Sequence, residues 1–220
     1  MKERIKRGMN TVIFDMDGVL FNTERLITDC WYKTAKEWGI KEIDKAISQC
    51  MGLNENDTKK IFYEIYGQNF PVEKFKKVTS DLFYDEIEKN GVPVMKGVYE
   101  ILDYLKEKGY KIGLASSTKE KSVRRHLENA KILNYFEVIV TGDMVEHSKP
   151  HPEIYLLAVE KLKSEKEKTV AVEDSFHGIT SAYRAGIKPI MIPDMVQPTE
   201  EIKKMLFYLG DDLLKLKEIL

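Results

Sequence analysis

Four short apolar runs constrain the fold of this chain more than any other feature. Residues 111–115 (Lys-Ile-Gly-Leu-Ala), 138–140, 169–172 and 190–192 are each too short for a helix. They read as strands buried on both faces. Between them lie stretches of helical period. Val98, Ile101, Leu102 and Leu105 fall at the i, i+3, i+4, i+7 spacing of one helical face, with Gly109 where a C-terminal cap would sit. Ile154, Leu157 and Ala158 mark a second helix, opened by Pro152 and Glu153. Ile179, Ala182 and Tyr183 mark a third, closed by Gly186. Strand alternating with helix predicts an α/β fold, a doubly wound, Rossmann-like parallel sheet. The run at 11–14 supplies a fifth strand.

Residues 22–92 break that rhythm. They contain no convincing strand, only helical stretches punctuated by Gly39, Gly52, Gly67 with Pro71, and Gly91 with Pro93. Ten aromatic residues lie here, both Trp31 and Trp38 among them, and they are expected to close a small helical core rather than to stack on a ligand. The expected organisation is a core of residues 1–21 and 93–220 with an all-helical insertion, 22–92. An insertion at that point would hang a lid over the carboxyl ends of the strands, where open α/β sheets bind ligands. Residues 200–220 read as one or two amphipathic helices packing on the core.

Charge narrows the function classes. Thirty-five basic residues against 36 acidic ones leave a formal net charge of −1, which gives no electrostatic reason to expect nucleic acid or an anionic membrane as partner. The basic residues 1–7 are not followed by a signal-type apolar stretch, and no apolar run approaches bilayer length. Cys30 and Cys50 show neither metal-ligand spacing nor a disulfide framework, so they are expected as core packers. The expectation is a reduced, cytoplasmic protein, monomeric or weakly dimeric.

The chemistry collects where strands end. In residues 11–20, Thr-Val-Ile-Phe-Asp-Met-Asp-Gly-Val-Leu, a strand runs into Asp15 and Asp17. Alternate strand residues point to the same side, so these acids can converge as the chain leaves the sheet. Carboxylates that close repel each other unless a cation or a shared proton compensates. The strand at 111–115 ends in Ser116, Ser117 and Thr118; Ser148-Lys149-Pro150 follows the strand at 138–140; the strand at 169–172 ends in Glu173-Asp174-Ser175. In a parallel sheet all these ends share one edge. Such acids suit Mg²⁺, usually held by one or two carboxylates with water and substrate phosphate. A lysine and a hydroxyl beside it complete a phosphoryl cradle, while Asp15 and Asp17 offer a nucleophile and a proton donor. Plainer readings exist for each: Asp17-Gly18 as turn chemistry, Ser116 as a helix cap, Glu173 and Asp174 as first-turn acids, Asp143 as a turn residue. His126, His147, His151 and His177 lack ligand spacing and read as surface or packing residues, His177 being nearest the acids.

Taken together, Asp15-Met-Asp17-Gly-Val-Leu-Phe-Asn-Thr23-Glu24, Ser116, Lys149-Pro150 and Glu173-Asp174-Ser175 resemble the four ordered motifs of the haloacid dehalogenase superfamily. The insertion is similar to that family's C1 cap, and the likeness is greatest to its phosphatase and β-phosphoglucomutase-like branch. It covers residues 10 to about 195. The resemblance implies that Asp15 attacks phosphorus and becomes an aspartyl phosphate, and that Asp17 protonates the leaving oxygen and then takes a proton from water. It also implies Mg²⁺ on Asp15, the Asp17 backbone carbonyl and Asp174, with Glu173 bound directly or through water. Ser116, the Ser117 N–H and Lys149 would hold phosphate oxygens, and the cap residues Gly52, Leu53 and Asn54 would face the leaving group. Hydrolysis of a small phosphate monoester is therefore expected. A dehalogenase has no leaving oxygen for Asp17 to protonate. A mutase of the β-phosphoglucomutase type is the alternative, but residues 25–28 (Arg-Leu-Ile-Thr) stand where mutases carry a histidine. Residues 52–56 (Gly-Leu-Asn-Glu-Asn) stand where they carry an arginine. A phospho-acceptor signalling module would lack the large insertion and need no second acid, and a silent binding protein would have no use for the constellation.

Overall fold

The computed structural model describes residues 8–50 and 55–220. The chain divides into two compact units, Thr23–Pro93 and the segments before and after it. In the larger unit, a parallel sheet has the order β3-β2-β1-β4-β5-β6. Its strands are β1 (Thr11–Phe14), β2 (Lys111–Ser116), β3 (Val138–Thr141), β4 (Thr169–Glu173), β5 (Lys188–Met191) and β6 (Tyr208–Leu209). β1 sits at the centre, with Phe14 paired to Leu114 of β2 on one side and Val172 of β4 on the other. All four residues of β1 and all five of β4 are buried, as two-sided coverage by helices requires.

The helical periodicities place the core well. α5 (Val98–Glu107) buries Val98, Ile101, Leu102 and Leu105 completely, each side chain worth roughly 1.5–3 kcal/mol of transfer free energy. α7 (Glu153–Leu162) buries Ile154, Tyr155, Ala158, Val159 and Leu162 against β2 and β3. In α8 (Phe176–Arg184), Ile179 and Ala182 are buried but Tyr183 is 54% exposed, contrary to the spacing argument. Ser181 turns inward instead, because its hydroxyl finds the His151 carbonyl at 2.6 Å. The sixth strand and the early start of β5 also depart from expectation. β6 is only two residues long, between α9 (Glu200–Met205) and α10 (Leu216–Ile219), too short for a periodic signal. β5 begins at Lys188 and contains Pro189, whose carbonyl accepts from Phe207 N at 2.8 Å. A proline inside a run argues against a strand, so its first half was hidden.

The smaller unit holds α1 (Thr23–Trp38), α2 (Ile43–Cys50), α3 (Glu55–Tyr66) and α4 (Val72–Asn90). Its core is aromatic: Trp31 meets Phe62 edge-on at 5.2 Å and Trp38 meets Phe75 at 5.8 Å, with Phe62 and Phe75 fully buried. Cys30 and Cys50 are buried free thiols. In the larger unit, the points where the chain departs and returns are pinned together, since Phe21 bridges Val94 and Met95 N donates to Leu20 O at 2.9 Å. No helix among the described residues is long and apolar enough to cross a membrane.

α6 (Glu120–Asn129) carries His126, only 2% exposed and edge-on to Phe21 at 6.0 Å. Burial pushes its imidazole below the usual histidine range; nearby Asp17 raises it and Arg125 lowers it. A depressed folded value means the unfolded chain takes up the proton first. The stability is therefore complete above the unfolded value of about 6.5 and is lost as pH falls through the folded value. Thermal melts from pH 7.5 downward are expected to show this loss in the wild type, at most about 1.4 kcal/mol per pH unit from this group, and a shallower loss in His126→Gln.

Candidate active site

The strand ends form one edge, and their hydrogen bonds fix its geometry. Asp15 follows β1 directly, its N–H donating to Val172 O of β4 at 2.9 Å. Its carboxylate is buried, and Lys149 Nζ donates to its Oδ1 at 2.5 Å. The same ammonium donates to Glu173 Oε1 at 2.7 Å and to Ala115 O, in β2, at 2.9 Å. All three of its protons are used. Lys149 thus ties β1, β2 and β4 together from the loop after β3 through the bonds of its ammonium.

Glu173, fully buried, accepts two further bonds: Tyr155 OH to Oε1 at 2.6 Å and Ser175 Oγ to Oε2 at 3.2 Å. Ser175 is also the N-cap of α8, accepting from Gly178 N at 3.1 Å. The capping role therefore belongs to Ser175, and the plainer reading of Glu173 and Asp174 as first-turn acids does not account for their burial. Asp15, Glu173 and Asp174 each offer an oxygen within 4.8 Å of the others.

Two glycines make room for this packing. Gly18 has φ +82°, a conformation side chains disfavour, and a Cβ there would stand 2.1 Å from Asp174 Oδ2. A Cβ on Gly178 would stand 1.9 Å from the Glu173 carboxyl. Gly178→Ala is expected to displace Glu173 at a cost of about 1–3 kcal/mol. A melting temperature equal to wild type would contradict that close approach.

Electrostatics follow from burial. Desolvation pushes the Asp15 carboxyl well above the ordinary carboxylate range; Lys149 pulls it down, while Glu173 and Asp17 push it up. Burial works against charge on Lys149 too, but Asp15 and Glu173 outweigh it and hold the ammonium above the usual lysine value. Burial, then Glu173 and Asp15, keep Tyr155 neutral and hence a donor. Three buried carboxylates against one lysine leave two formal negative charges, and the donors are all oxygen. That set fits a hard divalent cation such as Mg²⁺.

Asp17 is partly exposed and its Oδ2 accepts from Thr118 Oγ1 at 2.8 Å. Ser116 is fully buried, its Oγ accepting from Thr118 N at 3.1 Å. Ser117 has an exposed side chain, while its backbone packs so tightly on Gly142 that a Cβ there would lie 2.1 Å from Ser117 O. Asp143 is a turn residue, accepting from Glu120 N at 3.0 Å and Thr141 Oγ1 at 2.6 Å. Gly52, Leu53 and Asn54 lie outside the described residues. Sequence reasoning missed two members. Thr118 was visible only as one hydroxyl of three, and Tyr155 was hidden in the apolar face of α7. The histidines show no ligand spacing in the sequence, yet His147 and His151 converge with Glu153.

The model of the haloacid dehalogenase-like hydrolases matches residues 12–192. A phosphorylated carbohydrates phosphatase of Thermotoga maritima is 36% identical over 186 residues, 83% of this chain and 84% of that protein. The pyrophosphatase PpaX of Bacillus mycoides is 32% identical over 84% of this chain and 83% of its own. Among solved structures, a Thermotoga maritima protein described as a candidate beta-phosphoglucomutase superposes with a TM-score of 0.79 at 32% identity, covering 96% of this chain and all 100% of that one. The strand-end motifs, the sheet order that brings them together and these likenesses converge: this chain belongs to the haloacid dehalogenase-like hydrolase family.

Proposed function

We propose that this protein is a Mg²⁺-dependent phosphatase that hydrolyses small phosphate monoesters, phosphorylated carbohydrates first among them, through an aspartyl phosphate on Asp15. The observation that carries the reading is the buried Asp15 carboxylate held by Lys149 beside Glu173 and Asp174. The phosphatase relative supports the substrate class.

One Asp15 oxygen attacks phosphorus, forming the O–P bond as the bond to the leaving oxygen breaks. Asp17 gives its proton to that oxygen, releasing the alcohol. Water then attacks the aspartyl phosphate, Asp17 takes its proton, and inorganic phosphate departs with Asp15 restored. The Lys149 ammonium offsets part of the cost that burial puts on an anionic Asp15, then turns toward the phosphoryl oxygens as charge grows on them. The Ser116 hydroxyl and Ser117 N–H complete that cradle. The chemistry a bound Mg²⁺ supplies is positive charge for the phosphoryl group, with Asp15, the Asp17 main-chain carbonyl, Asp174 and Glu173 as the residues to hold it. Residues 1–21 and 93–220 serve as the catalytic core, and 22–92 as the cap that selects the leaving group. Two unbridged cysteines support a reducing, cytoplasmic setting.

A mutase is the second reading, favoured by the 32% identical structural relative. A panel of phosphomonoesters with Mg²⁺, beside β-glucose 1-phosphate with glucose 1,6-bisphosphate, separates the two. The proposal expects steady release of inorganic phosphate over many turnovers, abolished by EDTA. Isomerised sugar phosphate without phosphate release would establish the mutase, and a single phosphorylation without turnover would establish a phospho-acceptor.

A further inference from the structure

Outside the active site, one side-chain cluster has ligand geometry that neither the phosphatase reading nor the packing uses. His147, His151 and Glu153 lie on the loop between β3 and α7 and at the first turn of that helix. His147 Nδ1 stands 3.0 Å from Glu153 Oε2, and His151 Nδ1 stands 3.7 Å from the same oxygen. The two imidazoles lie side by side, centroids 4.5 Å apart and planes at 35°. All three ligand atoms fall within 4.8 Å of one another. Four-coordinate Zn²⁺, with bonds near 2.0–2.1 Å, sets adjacent ligand atoms roughly 3.3 Å apart. The two nitrogen-to-oxygen separations, 3.0 and 3.7 Å, bracket that value.

Glu153 has a structural duty as well. Its Oε1 accepts from Glu146 N at 2.8 Å and its Oε2 from His147 N at 3.0 Å. Without an ion, His147 Nδ1 hydrogen-bonds Oε2 at 3.0 Å and His151 is an ion-pair partner of the same oxygen, so a cation would take the place of the protons these imidazoles share with the carboxylate. The two backbone bonds supply what a metal-binding carboxylate needs, an outer shell that fixes it. The loop is held elsewhere too: His151 N donates to Ser148 O at 3.0 Å, and Ser181 Oγ to His151 O at 2.6 Å. The donors are therefore positioned before any ion arrives. The side chains of His147 and His151 are 61% and 49% exposed, which leaves an entry path and an open position for water.

We infer that His147, His151 and Glu153 form a second metal site, selective for a borderline transition ion of the Zn²⁺ class and distinct from the acidic Mg²⁺ pocket. Imidazole nitrogen suits Zn²⁺, Cu²⁺ and Ni²⁺, whereas Mg²⁺ prefers oxygen and keeps its waters. The site spans residues 147 to 153, with Lys149 between its ligands, so occupancy clamps the segment that delivers Lys149 to Asp15. This inference stands independently of the substrate.

The test is calorimetric titration of tag-free protein, saturated with Mg²⁺, with zinc chloride, together with thermal melts. Wild type, His147→Ala, His151→Ala and Asp174→Asn are compared. One Zn²⁺ per chain is expected in wild type and in Asp174→Asn, with a melting temperature that rises with zinc. Each histidine variant should bind at least about tenfold more weakly, since losing even an outer-shell partner costs that much. Each should keep a melting temperature near wild type without zinc, because the replaced side chains are exposed. Unchanged zinc binding in both histidine variants, binding lost only in Asp174→Asn, or no zinc binding by wild type would each overturn the assignment.

Discussion

Replacing Asp15 by asparagine is expected to lower kcat by roughly 10⁴-fold or more, because the amide oxygen is no nucleophile and no other group in the pocket replaces it. Stability should hardly change. The introduced amide oxygen can still accept from Lys149, whose remaining bonds to Glu173 and Ala115 O persist. Burial already opposes charge at this position, so removing the charge relieves a penalty. Steady-state phosphate release and thermal melts on the same preparation check both halves. Activity near wild type in Asp15→Asn would remove the assigned nucleophile.

Lys149→Met is expected to fail in the opposite pattern, losing fold and chemistry together. The lysine side chain is 6% exposed and neutralises carboxylates that are themselves 10% and 0% exposed. Removing one partner of a buried ion pair typically costs about 3–5 kcal/mol, because the other charge remains without compensation. The lost donor should lower kcat by about 10²–10³-fold. The loss has a pH signature. Without Lys149, Asp15 keeps the upward push of burial, Glu173 and Asp17 and loses the main downward one. A carboxyl whose folded value is raised favours the fold below its unfolded value of about 3.9, and that contribution is lost as pH rises through the folded value. Metal-free Lys149→Met should therefore be least destabilised in acid and most at neutral pH. Adding Glu173→Gln should recover part of the loss, a coupling visible as non-additivity in a double-mutant cycle. Equal destabilisation at all pH values would contradict the charge-compensation role.

The fold was legible where local pattern and tertiary demand agree. The buried stripe of α5 and the strands β1 to β4 follow from apolar periodicity and from flanking turns. Tyr183, Pro189 and β6 were not legible, because each is decided by a partner distant in sequence. Ser181 takes the inward place beside Tyr183, and β6 exists only by pairing Tyr208 with Ile190 of β5. The site shows the same division. Asp15, Glu173 and Asp174 could be nominated because an acid closing a buried strand has no packing reason, and Lys149 because it follows a strand in the loop just before Pro150. Tyr155 could not, since a tyrosine on an apolar helical face looks like any core aromatic until its hydroxyl is seen 2.6 Å from Glu173. His147 and His151 are four residues apart but lie in a loop rather than on a helix, and only the loop's path brings them together with Glu153.

The most direct test of the central claim is to find where the phosphoryl group goes. Asp17→Asn should still permit attack on p-nitrophenyl phosphate, whose good leaving group needs little protonation, while it slows attack by water. Acid-quenched Asp17→Asn, incubated with this substrate and Mg²⁺, should carry one phosphoryl group per chain by intact mass. Reductive trapping and peptide mapping should place it on Asp15. A phosphoryl group on any other residue, or hydrolysis at the wild-type rate with no covalent species on the chain, would contradict the account.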